Sequence, residues 1–231
     1  MTEEEKDYEI LGEDVAQVNF SFKIIVIGDA AVGKSSLTIR GTKNHFYDVY
    51  SPTIGFEFLC FNIRIKDKIV KLQIWDTCGQ EAYRSLISSF YRNSSLAIIV
   101  YSIDNEQSFY NLESWVDEIK SQTHPDLKIF LIGNKADLED QRVVQKSTAE
   151  ELAKEHNFHL FLETSAKSGQ NAQLVFVKAA EILLENYKNY TDFGRNSNIS
   201  DNPSISISND NNDIKNDQKD DDKSRRKKCC K

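Results

Sequence analysis

Eight consecutive residues, Gly28-Asp29-Ala30-Ala31-Val32-Gly33-Lys34-Ser35, have the types and spacing to hold a phosphate group. They read G-x-x-x-x-G-K-S. The two glycines let the backbone curl so that successive N–H groups point at phosphate oxygens. Lys34 is placed to reach the β- and γ-phosphates, and the Ser35 hydroxyl to bind Mg²⁺. The flanks fit that chemistry. An apolar, β-branched run, Phe22 to Ile27, precedes the loop and predicts a buried strand. Ser36-Leu37-Thr38-Ile39-Arg40 follows it and opens a helix, whose positive end adds attraction for an anion.

The loop does not name the base. Asn134-Lys135-Ala136-Asp137 does, because it directly follows an apolar run, Ile129–Ile132, and Gly133. Guanine presents N1–H and N2–H₂ on one edge, and one carboxylate, here Asp137, can accept from both. Adenine would turn an acceptor toward that carboxylate, a buried mismatch. Thr164-Ser165-Ala166-Lys167 follows another strand, and its backbone can meet the guanine O6. Two more segments point at the γ-phosphate and metal. Asp76 ends an apolar–polar alternation, Ile69–Trp75, where an acid can hold Mg²⁺ through water. Gly79 allows backbone approach, and Gln80 can orient an attacking water. Thr53, in Ser51-Pro52-Thr53-Ile54-Gly55, offers a hydroxyl to the metal and an N–H to the γ-phosphate.

The elements that must position these groups alternate in type. Predicted strands are Ile24–Ile27, Phe56–Ile65, Ile69–Trp75, Leu96–Tyr101, Ile129–Ile132 and Phe158–Leu162. Lys66-Asp67-Lys68 reads as a hairpin turn. Predicted helices are Lys34 to Thr42, Glu106–Gln122, Lys146–Asn157 and Ala172–Lys188. In the last, Ala172, Val175, Phe176, Ala179, Ile182 and Leu183 share a face. This order predicts an α/β fold: a six-stranded, mainly parallel sheet with one antiparallel hairpin and helices on both faces. Residues 1–19 are expected to be a flexible acidic extension, 20–190 the globular domain, and 191–231 a disordered tail.

Bulk properties narrow the class. The 231 residues carry a net charge of −7, which argues against nucleic acid as a partner. The tail from Thr191 holds nine Lys/Arg against eight Asp/Glu, so the acidity belongs to the body. Four cysteines, Cys60, Cys78, Cys229 and Cys230, are too few and too unevenly spaced for a disulfide framework and suit a reducing compartment. No apolar run is long enough to span a membrane, and Glu3-Glu4-Glu5 does not read as a signal peptide.

Over residues 20–190 these motifs resemble the Ras-like small GTPases, and within them the Rab family. The Rab-like segments are Ile54-Gly55-Phe56-Glu57-Phe58, Lys71–Thr77, Ala82-Tyr83-Arg84-Ser85-Leu86, Phe90-Tyr91-Arg92-Asn93-Ser94 and Ile99–Ile103. The resemblance implies a P-loop fold, GTP and GDP as bound nucleotides, Mg²⁺, and slow hydrolysis of GTP that an activating protein stimulates. It implies that Phe46 flanks the guanine ring and that Val32 and Ser36 line the phosphate and base region. It also implies two loops, residues 44–56 and 77–92, read by effectors, exchange factors and activating proteins. A prenyl-binding carrier, a monomeric state and cycling between the cytosol and the cytoplasmic face of an intracellular membrane follow in the same way. Two residues depart from the usual Rab pattern, Glu57 in place of Asp and Cys78 in place of Ala; Ala30 stands where many Ras-like proteins carry Gly or Ser, and its methyl can crowd a catalytic group.

The end of the chain extends the likeness. Arg225-Arg226-Lys227-Lys228 precedes Cys229-Cys230-Lys231, which is no C-a-a-X box. Paired terminal cysteines are doubly prenylated in Rabs. Two lipid chains make anchoring stable where one is marginal, and the basic run adds attraction to an anionic leaflet. A linker of about forty residues would span roughly 35 Å as a coil. Two other readings stand beside this one: a scaffold that binds GTP and barely hydrolyses it, and a P-loop nucleotide kinase. The kinase would need an acceptor site and an Arg-bearing lid.

Overall fold

In the computed structural model, residues 7–12, 15–48, 53, 55–79 and 90–194 are described, with side chains as far as residue 187. Seven strands make one sheet: β1 (Tyr8–Leu11), β2 (Phe20–Ile27), β3 (Phe56–Ile65), β4 (Lys68–Thr77), β5 (Leu96–Ser102), β6 (Lys128–Asn134) and β7 (Leu160–Glu163). Their spatial order is β1-β3-β4-β2-β5-β6-β7. From β4 onward every neighbour is parallel. β3 runs antiparallel to both β4 and β1. The β3–β4 hairpin closes at Ile65 opposite Lys68, and Lys66 takes the left-handed conformation at φ 55°. The expected hairpin is therefore present at its expected turn.

The helices are α1 (Lys34–Lys43), α2 (Glu106–Tyr110), α3 (Leu112–Gln122), α4 (Lys146–Glu155) and α5 (Ala172–Gly194), with a 3-10 helix at Ala136–Gln141. Alternation along the central strands decides which helix lies on which face. Ile24, Val26, Ile98, Val100, Phe130 and Ile132 turn toward α1 and α5, where Leu37, Phe176 and Leu183 meet them. Ile25, Ile27, Ala97, Ile99 and Leu131 turn the other way, onto Trp115 and Ile119 of α3 and Ala149 and Ala153 of α4. A strand buried on both faces needs an unbroken apolar run, which is why β2, β5 and β6 are legible as such.

Three features differ from the expectation, one being that α5 runs through Gly194, beyond the expected end at Lys188 and into the expected tail. The sheet has seven strands rather than six, because Tyr8–Leu11, inside the expected extension, pairs with Ile65 to Asn62. Tyr8 packs on the α5-side core, Glu9 pairs with Arg64, and Asn62 Nδ2 donates to the Gly12 carbonyl at 2.8 Å. The single helix expected over Glu106–Gln122 is two, broken at Asn111. Asn105 caps α2 by accepting from the Ser108 N–H.

α1 and α5 approach closely at Gly41. A Cβ there would stand 2.3 Å from the Phe176 ring and 2.6 Å from the Ala172 carbonyl oxygen. Phe176 is fully buried and backbone cannot yield cheaply. Gly41→Ala is expected to cost about 1–3 kcal/mol through overpacking, outweighing the gain of about 1 kcal/mol in helix propensity. Urea unfolding checks it: the midpoint falls at unchanged slope. A variant as stable as the parent would mean that the two helices can move apart freely.

Candidate nucleotide site

β2 ends at Ile27 and the chain turns through Gly28–Gly33 into α1. Ala31 sits at φ 63° and Gly33 at φ 93°, both left-handed. Gly33 stands at the N-terminal boundary of α1 and offers no side chain to cap it. The first N–H groups of α1 therefore lack a side-chain acceptor at Gly33, which suits an anion at the helix start. Lys34 is buried, and its Nζ bends back to donate to the carbonyls of Gly28 at 2.9 Å and Asp29 at 2.7 Å. Burial pulls its ammonium down to about 8, against the pull of Asp76 and Asp29. Val32 is buried, Ser36 is half-buried, and Ala30 and Ala31 are exposed.

Three oxygens from separate elements converge beside Lys34. Ser35 Oγ lies 2.6 Å from Thr53 Oγ1 and donates to Asp76 Oδ2. Asp76 is fully buried at the end of β4, and burial raises its carboxyl to about 7, opposed by the Ser35 hydrogen bond and Lys34. Its other oxygen, Oδ1, is buried without a hydrogen-bond partner among the described residues. An all-oxygen donor set with one unsatisfied carboxylate oxygen fits Mg²⁺. Gly79 abuts the phosphate loop directly. A Cβ there would sit 2.4 Å from the Ala30 nitrogen and from the Asp29 carbonyl carbon. Gln80, Cys229 and Cys230 lie outside the described residues, as do residues 49–52, 54 and 81–89 of the two expected loops.

The segments expected to read the base meet at the ends of β6 and β7. Asn134 is buried, and its amide braces two other segments at once, Val32–Gly33 and Thr164–Ala166. Nδ2 donates to the Val32 carbonyl at 2.9 Å and the Gly33 carbonyl at 3.3 Å, while Oδ1 accepts from Thr164 Oγ1 at 3.2 Å and the Ala166 N–H at 3.4 Å. Lys135 is left-handed at φ 65°, and its Nζ lies 3.5 Å from Asp104. Asp137 is exposed, and its Oδ1 accepts from Ser165 Oγ at 2.5 Å. Ser165 and Ala166 are buried, Lys167 is exposed, and Phe46 is half-buried after α1.

Sequence reasoning missed three contributors. Arg142 donates to both oxygens of Glu163, at 2.7 and 3.0 Å, and to Glu139 at 2.8 and 2.6 Å. It thereby ties the 3-10 helix that carries Asp137 to the strand that leads into Ser165. Asn111, at the junction of α2 and α3, and Trp115 of α3 reach the phosphate loop. Arg142 could have been suspected from its place between two motif segments with Glu139 nearby. Asn111 and Trp115 carry no such local signal.

Two comparisons with known proteins bear on the family. A family model described as Ras family matches residues 23–185. A protein of Dictyostelium discoideum described as Ras-related protein Rab-5A is 44% identical over 164 residues, which is 71% of this chain and 81% of that one. On the sheet order, the phosphate loop and these two matches, the chain belongs to the Ras family of small GTPases, within its Rab branch.

Proposed function

We propose that this Rab-branch GTPase, a hydrolase of GTP acting in membrane trafficking, binds and cleaves its nucleotide at the carboxyl ends of the parallel strands. One observation carries the reading: the buried Lys34 ammonium stands beside the Ser35–Thr53–Asp76 oxygen cluster at the turn from β2 to α1. The backbone from Asp29 to Ser36 cradles the phosphates, and Lys34 meets them with the ammonium N–H left over from the two on the Gly28 and Asp29 carbonyls. Ser35 and Thr53 would hold Mg²⁺, with Asp76 joining through water; when bound, the metal supplies positive charge against the phosphate oxygens. Asp137 accepts the guanine donors while Ser165 steadies it, Ala166 and Lys167 border the base, and Phe46 flanks the ring. Gln80 orients the attacking water.

The contacts of Thr53 and Gly79 with a γ-phosphate order residues 44–56 and 77–92, and partners read that order. Exchange factor, activating protein and effectors meet this face. Exposed Phe56 and Phe58, packed against Trp75, supply apolar area there. No helix among the described residues is long and apolar enough to cross a membrane. Attachment is assigned to prenyl groups on Cys229 and Cys230 with the basic run beside them, and a prenyl-binding carrier extracts the protein to the cytosol.

Single-turnover release of phosphate from GTP, with and without an activating protein, tests the catalytic part. Gln80→Leu is expected to abolish stimulated turnover while leaving GTP affinity within about twofold. Stimulated turnover equal to that of the parent removes the role given to Gln80. Purified protein that carries no guanine nucleotide and takes up no GDP removes the pocket itself.

A further inference from the structure

We propose that Asp29 is a positioning residue for the phosphate loop, held in place by Asn111 and Trp115 of the α2–α3 segment. The inference rests on the reading of residues 28–35 as the loop that receives the phosphates. Asp29 is an acid inside that loop, and a carboxylate turned toward a bound polyphosphate would repel it. Here each carboxylate oxygen is occupied elsewhere. Oδ1 accepts from Trp115 Nε1 at 2.8 Å, and Oδ2 accepts from Asn111 Nδ2 at 2.6 Å. Both partners lie more than eighty residues away in sequence.

The donors are themselves fixed. Trp115 is fully buried in the core between the sheet and α3. Asn111 stands at the junction of α2 and α3, and its side chain does not cap α3. Its Oδ1 accepts from Gln107 Nε2 at 2.9 Å, which leaves the amide N–H₂ directed at Asp29. The break in the helix thus has a use: it sets an amide against the phosphate loop. The Asp29 main chain carries two further constraints, since its carbonyl accepts from Lys34 Nζ at 2.7 Å and its peptide plane lies under Gly79. Moving Asp29 therefore moves the anchor of Lys34 and the surface on which Gly79 rests. The side chain contributes by location, and only the backbone faces the phosphates.

The test uses the full-length protein loaded with a fluorescent GDP, chased with excess GDP. Asp29→Asn and Trp115→Phe are each expected to speed release about tenfold, because each removes the same charge-assisted bond, between the Trp115 indole N–H and the Asp29 carboxylate. The double variant is expected to stay well short of the roughly hundredfold that independent sites would give. The ratio of GDP to IDP release stays at the parent value, because base reading is untouched. A fully additive double variant, a changed base ratio, or single variants that release like the parent each overturn the proposal. The chain has two tryptophans, so Trp75→Phe assigns the Trp115 indole N–H resonance. That resonance is expected to shift in Asp29→Asn, and an unmoved resonance overturns the contact even if Trp115→Phe fails to fold. Lys34→Ala serves as the reference. If it retains GDP, the phosphate-loop reading itself is lost; if it loses GDP while Asp29 and Trp115 variants keep it, only the clamp is lost.

Discussion

Asp137→Asn is expected to lower affinity for GDP by about a hundredfold or more and to raise affinity for the xanthine analogue. On the proposed reading the Asp137 carboxylate is the acceptor for two guanine donors, and replacing one oxygen by N–H₂ sets donor against donor. Xanthine carries a carbonyl where guanine carries its amino group, so the new amide regains a partner there. The fold should tolerate the change. Asp137 is exposed, and the carbonyl oxygen of Asn can still accept from Ser165 Oγ, which lies 2.5 Å from Asp137 Oδ1. Displacement of a fluorescent GDP by GDP and by XDP measures both affinities. An unchanged guanine preference would show that some other group reads the base.

Lys34→Ala is expected to reduce nucleotide retention by at least about a hundredfold. Two effects add. The substitution removes the buried cation proposed to meet the phosphates, a charge-assisted interaction. It also strips the Gly28 and Asp29 carbonyls of the donor that bonds them at 2.9 and 2.7 Å. Lys34→Arg should not rescue the loss, because a planar guanidinium is wider than the ammonium and reaches differently. The rate of GDP loss under chelation measures it. A variant that holds GDP as the parent does would refute the role assigned to the ammonium.

Much of this site is legible in the chain because its parts are local. The phosphate loop, Asp76 and Asn134–Asp137 each lie at the end of a strand whose apolar run announces it. Asp137 and Ser165 come together because β6 and β7 are adjacent in the sheet, as alternating strands and helices imply. The loop-to-α3 bonds are not legible, because they join residues more than eighty apart and follow from the direction a helix takes across the sheet. The break at Asn111 was hidden by periodicity. Leu112, Trp115, Val116 and Ile119 continue the apolar spacing as if one helix ran through. β1 was missed for the opposite reason. Its burial pattern is half-buried at Tyr8 and Leu11 and exposed between them, so an edge strand of acidic neighbours carries almost no apolar signal.

That edge strand has a consequence for how the molecule behaves beside others of its kind. Along Asn62 to Ile65 the rim of the sheet is already hemmed by the chain's own beginning. Cutting the hem away, as a shortened expression variant would, bares a ladder of unsatisfied peptide groups together with the apolar ground beneath Tyr8. Bare rims invite foreign backbones, so a chain shortened past Leu11 is expected to associate with its own copies at high concentration.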